Sequence, residues 1–154
     1  CNVIAFLDND EAGRKGIQDA EDKSIINTNE YILSFCKGMT NSELEDLIDI
    51  NSYRQLIIDD YGVDLNIPAF KNNKFQWSDR VKELFRLNEK MWRQRLETEI
   101  KYKVNKRASE QKLQSLNTHK SNSIDSLLAS IENVLNKQKW HNANHYKCYN
   151  GFGQ

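Results

Sequence analysis

The chain has 154 residues, with 22 Lys+Arg against 22 Asp+Glu, three Cys, one Pro and 38% hydrophobic residues, a length that suits one domain or one domain with an appendage. No apolar run approaches the ~20 residues of a membrane span, no basic start leads into a longer apolar core, and Cys1, Cys36 and Cys148 make no disulfide framework. A reducing cytoplasm is the expected setting.

The zero net charge hides a split. Residues 1–67 carry 14 Asp/Glu and 5 Lys/Arg, a net of −9, whereas residues 68–154 carry 17 Lys/Arg and 8 Asp/Glu, a net of +9. This asymmetry suggests an acidic site for cations beside a basic surface for a polyanion, or two solvated helical faces.

Val3-Ile4-Ala5-Phe6-Leu7 is a continuous apolar run and predicts a strand buried on both faces, as in a parallel sheet. A chain that opens inside such a strand is expected to follow further residues. Asp8-Asn9-Asp10-Glu11 then leads into a helix reaching about Asp22, with Glu11 in the favourable first turn. Glu30 to Phe35 predicts a second strand, and Cys36 to Asn41 a loop. Ser42 is expected to cap a helix carrying Glu43-Leu44-Glu45-Asp46-Leu47-Ile48, with Glu45 completing a capping box. A further amphipathic helix is expected from about Ser52 to Tyr61. Strand, helix, strand, helix is the order of an α/β layer.

Beyond Pro68 the texture becomes helical. Trp77, Val81, Leu84, Phe85 and Leu87 have helical spacing, as do Met91, Trp92, Leu96 and Ile100. Arg107 to Asn122 reads as polar and loose. Ile124 to Leu135 is amphipathic, with Leu127, Leu128, Ile131, Val134 and Leu135 on one side, and the tail from Gln138 is too irregular to assign. Residues 1–67 are thus read as an α/β part and residues 68–154 as a basic helical appendage.

An apolar strand ending in Asp-x-Asp puts two carboxylates at its C-terminal tip, the edge where open α/β sheets bind ligands. Alternation points both the same way, about 6–7 Å apart at strand rise. Such a pair invites a hard divalent cation, Mg2+ or Mn2+; alternatively, Asp10 or Glu11 merely caps the next helix. A calcium loop is excluded, because Ala12 and Asp19 stand where an oxygen ligand and the closing Glu belong. A haloacid-dehalogenase-like phosphatase also begins Asp-x-Asp but continues with Thr or Val where this chain has Ala12-Gly13. Glu21-Asp22-Lys23 has restriction-nuclease spacing from Asp8 but falls where a helix end is expected.

Phe6-Leu7-Asp8-Asn9-Asp10-Glu11-Ala12-Gly13-Arg14-Lys15 closely resembles the Asp-x-Asp segment of Toprim folds in bacterial primases and OLD-family (overcoming lysogenization defect) endonucleases. Phe35-Cys36-Lys37-Gly38-Met39 and Ser42-Glu43-Leu44-Glu45-Asp46-Leu47-Ile48 resemble the OLD-type sequel, and Lys74 to Arg80 does so more loosely. The resemblance covers roughly residues 3–80. It implies an α/β fold: part of a Toprim domain, a Rossmann-like parallel sheet, followed here by a mainly α-helical region. The family's first strand, ending in Glu, and its Walker A loop are both absent from this sequence. The chain alone is therefore expected to be incomplete and inactive, with ATP acting only through an upstream ATPase domain.

The implied activity is metal-dependent endonucleolytic hydrolysis of DNA, in a setting of anti-phage defence and as a homodimer or larger assembly. Asp8 and Asp10 are the implied Mg2+ or Mn2+ ligands, with Glu43 and Glu45 completing the shell and Glu43 also serving catalysis. Lys37 is the candidate for neutralising charge on the phosphate, with Lys74 as a rival. DNA phosphates would meet the basic half through Lys74, Arg80, Lys82 and Arg86, together with Arg93, Arg95, Lys101 and Lys103. Trp77 and Trp92 are candidates for base stacking or for the core. His141, His145 and Cys148 have the spacing of three metal ligands but lack a fourth. A non-catalytic assembly segment is the reading from another class.

Overall fold

The computed structural model describes residues 4–68, 70–71 and 74–149, with side chains as far as residue 136. It is a mixed α/β arrangement. Strand β1 (Ala5–Leu7) pairs in parallel with β2 (Tyr31–Leu33) in the register Ala5↔Tyr31, Phe6↔Ile32 and Leu7↔Leu33. Helix α1 (Glu11–Asp22) supplies the crossover that a parallel pair requires. Both strands are short and only half buried, and Leu7 is exposed. Among the described residues the sheet has two strands, and neither is buried on both faces as expected, since two strands offer each other edges, not faces.

The sequel departs from the expected helix. Leu44–Leu47 is a single 3-10 turn, because Ile48 returns to extended backbone and bridges Leu116. Ser42 does not cap it. Its hydroxyl donates to the Ser34 carbonyl at 2.8 Å and accepts from the Cys36 N–H at 3.1 Å, pinning the 34–42 loop instead. Helix α2 (Ile50–Tyr61) starts two residues earlier than predicted, since the Asp49 carboxylate accepts from the Asn51 N–H at 2.8 Å. It stops at Gly62, whose φ of +63° is the left-handed geometry that ends helices.

Helices α3 (Trp77–Leu87) and α4 (Gln94–Gln111) close the main core over α2. Trp77, Val81, Leu84 and Phe85 face inward together with Ile57, Leu65, Ile100 and Val104, while Leu87 and Met91 are exposed. Met91 and Trp92 precede α4 rather than belonging to it. The cluster draws on residues from both sides of position 67, so the charge split marks no break in packing. Arg107 to Gln111, expected to be loose, continues α4, and a second 3-10 turn follows at Lys112–Ser115. Lys, Arg and Glu, like Ala, are good helix formers, and an outer face needs no large apolar residue.

Helix α5 (Asn122–Tyr149) takes in the amphipathic segment and the unassigned tail as far as Tyr149; the rest of the tail lies outside the described residues. Leu128, Ile131 and Leu135 on its apolar side are exposed. The side chains of His141, His145 and Cys148 lie outside the described residues. Among the described residues no helix is long and apolar enough to cross a membrane.

Candidate functional site

The chain leaves β1 at Leu7 and enters α1 after three residues. Asn9 anchors that passage: its N–H donates to Ser42 O at 2.8 Å and lies 3.3 Å from Ser34 Oγ, and Ser42 N–H returns to Asn9 O at 2.9 Å. This antiparallel bridge lays the Asp-Asn-Asp tip alongside the entrance to the acidic turn. Asp8 Oδ1 accepts from the Leu44 N–H at 2.8 Å, and Asp10 Oδ1 accepts from the Gly13 N–H at 2.7 Å as the cap of α1. Capping thus accounts for one oxygen of each carboxylate. Burial raises the Asp8 carboxyl above its ordinary range. The Leu44 amide and the Lys101 ammonium oppose that shift, whereas Glu43 and Asp10 add to it.

Gly13 is required at this edge by space. A Cβ there would stand 2.0 Å from the Asp8 carbonyl oxygen. Gly→Ala inside a helix ordinarily stabilises by up to about 1 kcal/mol, so the sign here is diagnostic. Gly13→Ala should lower stability by about 1–3 kcal/mol in a urea titration, because α1 must move off the strand end. An increase in stability would show that helix and strand do not meet so closely.

The acidic turn is buried rather than solvated. Glu43 Oε2 accepts from the Ser78 N–H at 2.8 Å, and its Oε1 accepts from Ser78 Oγ at 2.8 Å and from Lys101 Nζ at 3.0 Å. Asp46 Oδ2 accepts from Trp77 N–H at 3.2 Å and Glu43 N–H at 2.9 Å, while its Oδ1 pairs with Arg80. Helix α3 has Gln76 at its N-cap, whose side chain accepts from none of the helix's first amides and instead donates to Ser78 Oγ at 3.3 Å. Glu43 and Asp46 therefore cap α3 from outside, two carboxylates on the free amides at the positive end of its dipole. Glu45 points another way and accepts from Asn105 Nδ2 at 2.8 Å.

The four carboxylates of the expected shell are held by different partners. Glu43 and Glu45 are committed to α3 and α4, and among the described residues no group of three or more His, Cys, Asp or Glu side chains is placed to hold a metal ion. The Asp10 charge is felt at Asp8.

The basic candidates divide. Arg80 is 7% exposed: it pairs with Asp46, donates to the Phe70 carbonyl at 2.6 Å and lies 4.6 Å from the Phe70 ring centre. It is a core residue, not a DNA contact. Lys82 and Arg86 are exposed on α3, Arg86 in a 2.6 Å pair with Glu83. They line a groove of about 730 Å³ with Phe75, Lys90 and Trp92, and with the acids Asp79 and Glu83. Lys74 is exposed beside the Phe75 ring, and Lys37 is exposed in the turn ahead of Gly38. Trp77 is fully buried, with its indole N–H on Tyr53 Oη at 3.0 Å, whereas Trp92 packs edge-on against Phe85.

Comparison with models of known families, with curated proteins and with solved structures returns no match. The sequence reading missed Lys101, Asn105 and Ser78 as partners of the acidic turn. The signal was present: Glu97, Lys101 and Asn105 recur every four residues on α4, one ridge beside the buried Ile100 and Val104.

Glu45 offers a test of how tightly that ridge closes. Burial raises its carboxyl above the ordinary 4.5, against the pull of Lys101 and the Asn105 amide. A raised carboxyl adds stability below its unfolded pKa and loses that contribution as pH climbs through the folded value. Glu45→Gln, which keeps an acceptor for Asn105, should melt above the parent near pH 7 and alike near pH 4. A lower melting temperature at neutral pH would mean that the charge itself is needed there.

Proposed function

We propose that this chain is a segment of a Toprim-type nucleic-acid hydrolase, similar to OLD-family endonucleases, in which Asp8 and Asp10 present the metal-binding edge. The observation that carries the reading is the parallel β1-α1-β2 unit with both aspartates at the C-terminal end of β1 and Gly13 pressed against the Asp8 carbonyl. The donor set suits magnesium, which is held by one or two carboxylates and keeps several waters. Asp8 and Asp10 each commit only Oδ1 to a backbone amide, leaving Oδ2 for an ion. When bound, Mg2+ or Mn2+ would lower the pKa of a water and offset charge on the phosphate. The protein's own part is orientation: the Leu44 and Gly13 amides fix both carboxylates, and the Asn9–Ser42 bridge fixes the backbone between them.

In this reading Lys82 and Arg86 hold DNA phosphates, with Lys74 nearby, and ATP acts through a module outside this chain. The test is plasmid cleavage by the intact protein with Mg2+ or Mn2+. Asp8→Asn should lower the cleavage rate at least about a hundredfold, beyond the loss typical of outer-shell changes. Undiminished cleavage would sink the reading. Turnover of a small phosphate ester without plasmid nicking would favour the phosphatase alternative.

A second reading, a non-catalytic assembly segment, is favoured by the structural use of Glu43, Glu45 and Asp46. It expects Asp8→Asn to leave both cleavage and assembly unchanged.

A further inference from the structure

We infer that Arg14 is a phosphate-binding residue of the Asp8–Asp10 edge: its guanidinium, oriented by Asn9 and Asn41, takes a backbone phosphate of the nucleic acid through the donors it has left. The inference rests on the proposed nucleic-acid reading and adds a cation that places the strand beside the two aspartates.

Arg14 is the fourth residue of α1, and side chains on a helix lean back toward its N-terminus. Its guanidinium accordingly reaches over the first turn to the Asp8-Asn9-Asp10 tip. Nη1 donates to both oxygens of Asn9, the carbonyl and Oδ1, each at 3.1 Å. Nη2 donates to Asn41 Oδ1 at 2.8 Å. Asn9 is buried and bridged to Ser42, so the residue that holds Arg14 is itself fixed, and in sequence it stands between the two aspartates.

These bonds orient the guanidinium without neutralising it. Arg54, Arg80, Arg86 and Arg107 each pair with a carboxylate, whereas the acceptors of Arg14 are a carbonyl and two amide oxygens. The three bonds use at most three of the five N–H donors, so at least two remain for a ligand. The residue is exposed, and a planar fork with its full charge matches a phosphate.

A brace between loops explains the charge poorly. A cation near the N-terminus of a helix opposes the dipole, and a neutral donor would tie Asn9 to Asn41 without that cost. Lys37 belongs to the same loop as Asn41 but carries its charge on a flexible stem. Arg14 is instead a cation fixed in place before any substrate arrives, the condition under which a charge acts most strongly on a phosphate.

The experiment is binding of a duplex oligonucleotide to the intact protein over a NaCl series without divalent metal, in the parent, Arg14→Gln and Arg14→Lys, with a urea titration of each. Arg14→Gln should lower the salt slope by about one and weaken binding about tenfold near 0.1 M salt, while Arg14→Lys should keep the parent slope. Parent slope and affinity in Arg14→Gln overturn the contact; Arg14 is then only a brace, and both variants unfold at lower urea. The hydrolase reading survives that result if Asp8→Asn still abolishes plasmid cleavage. A lowered slope in Arg14→Gln with undiminished cleavage by Asp8→Asn leaves the phosphate contact and removes the hydrolase. A parent that binds no oligonucleotide overturns both. Should Arg14→Gln not fold, phenylglyoxal labelling of the parent decides: the oligonucleotide should slow modification of Arg14, and an unchanged rate overturns the contact.

Discussion

Arg80→Met should cost about 3–5 kcal/mol of stability, the range for removing one partner of a buried ion pair. Asp46 would be left buried with its charge unmatched, and burial already raises its carboxyl against the opposing Arg80 charge and the Glu43 and Trp77 amides. Methionine fills a similar volume, so a cavity contributes little and the loss reports the stranded carboxylate. Arg80→Lys should recover only part of it, because an ammonium cannot reach Asp46 and the Phe70 carbonyl while also lying flat over the ring. Urea titration of the two variants measures this directly. Lys82→Ala, by contrast, should leave stability within about 0.5 kcal/mol, and the proposed phosphate contact expects it to lower the salt slope of DNA binding by about one. Arg80→Met melting like the parent would remove the buried pair from the account.

These two residues show where sequence reasoning ran out. Arg80 and Lys82 are both basic residues on one helix, and as charges they are indistinguishable. Spacing separates them: Arg80 lies three residues after Trp77 and four before Leu84, on the stripe that the core claims, while Lys82 lies off it. Helix α1, β2 and the inward residues of α3 were legible because periodicity and caps are local. The 3-10 turn was not, since its shape depends on Ile48 bridging Leu116 and on Asp49 N–H donating to Ser115 O at 2.7 Å, partners more than sixty residues away. Ser42 misled for a similar reason, its hydroxyl being taken by the loop it closes.

The carboxylates show the same limit. Asp8 and Asp10 were assigned to the sheet edge from strand direction alone, and they lie there. Glu43 and Asp46 were read as the start of their own helix; they open a 3-10 turn there and in addition cap α3. A helix beginning at Trp77 with only Gln76 before it lacks a strong side-chain cap, so its amides required acceptors from elsewhere. That shortfall was the available clue to Glu43 and Asp46.

Trp77→Ala should therefore damage the site as well as the core. Removing a fully buried indole costs about 3–5 kcal/mol. The lost indole N–H also leaves Tyr53 Oη without its 3.0 Å donor, in surroundings that already push the phenol's pKa upward by burial. The backbone consequence is more specific. Trp77 and Ser78 open α3, and their amides hold Asp46 and Glu43. Loosening that first turn should release the acidic turn before it disturbs β1, whose partners are Glu30 and β2. Native-state hydrogen exchange should then show Asp46 and Ile48 amides losing protection more than those of β2. Trp77→Phe keeps most of the packing and should cost far less, close to the ~1 kcal/mol of one hydrogen bond together with the smaller ring. Equal loss of protection in β2 and the acidic turn would mean that α3 does not hold the site independently of the sheet.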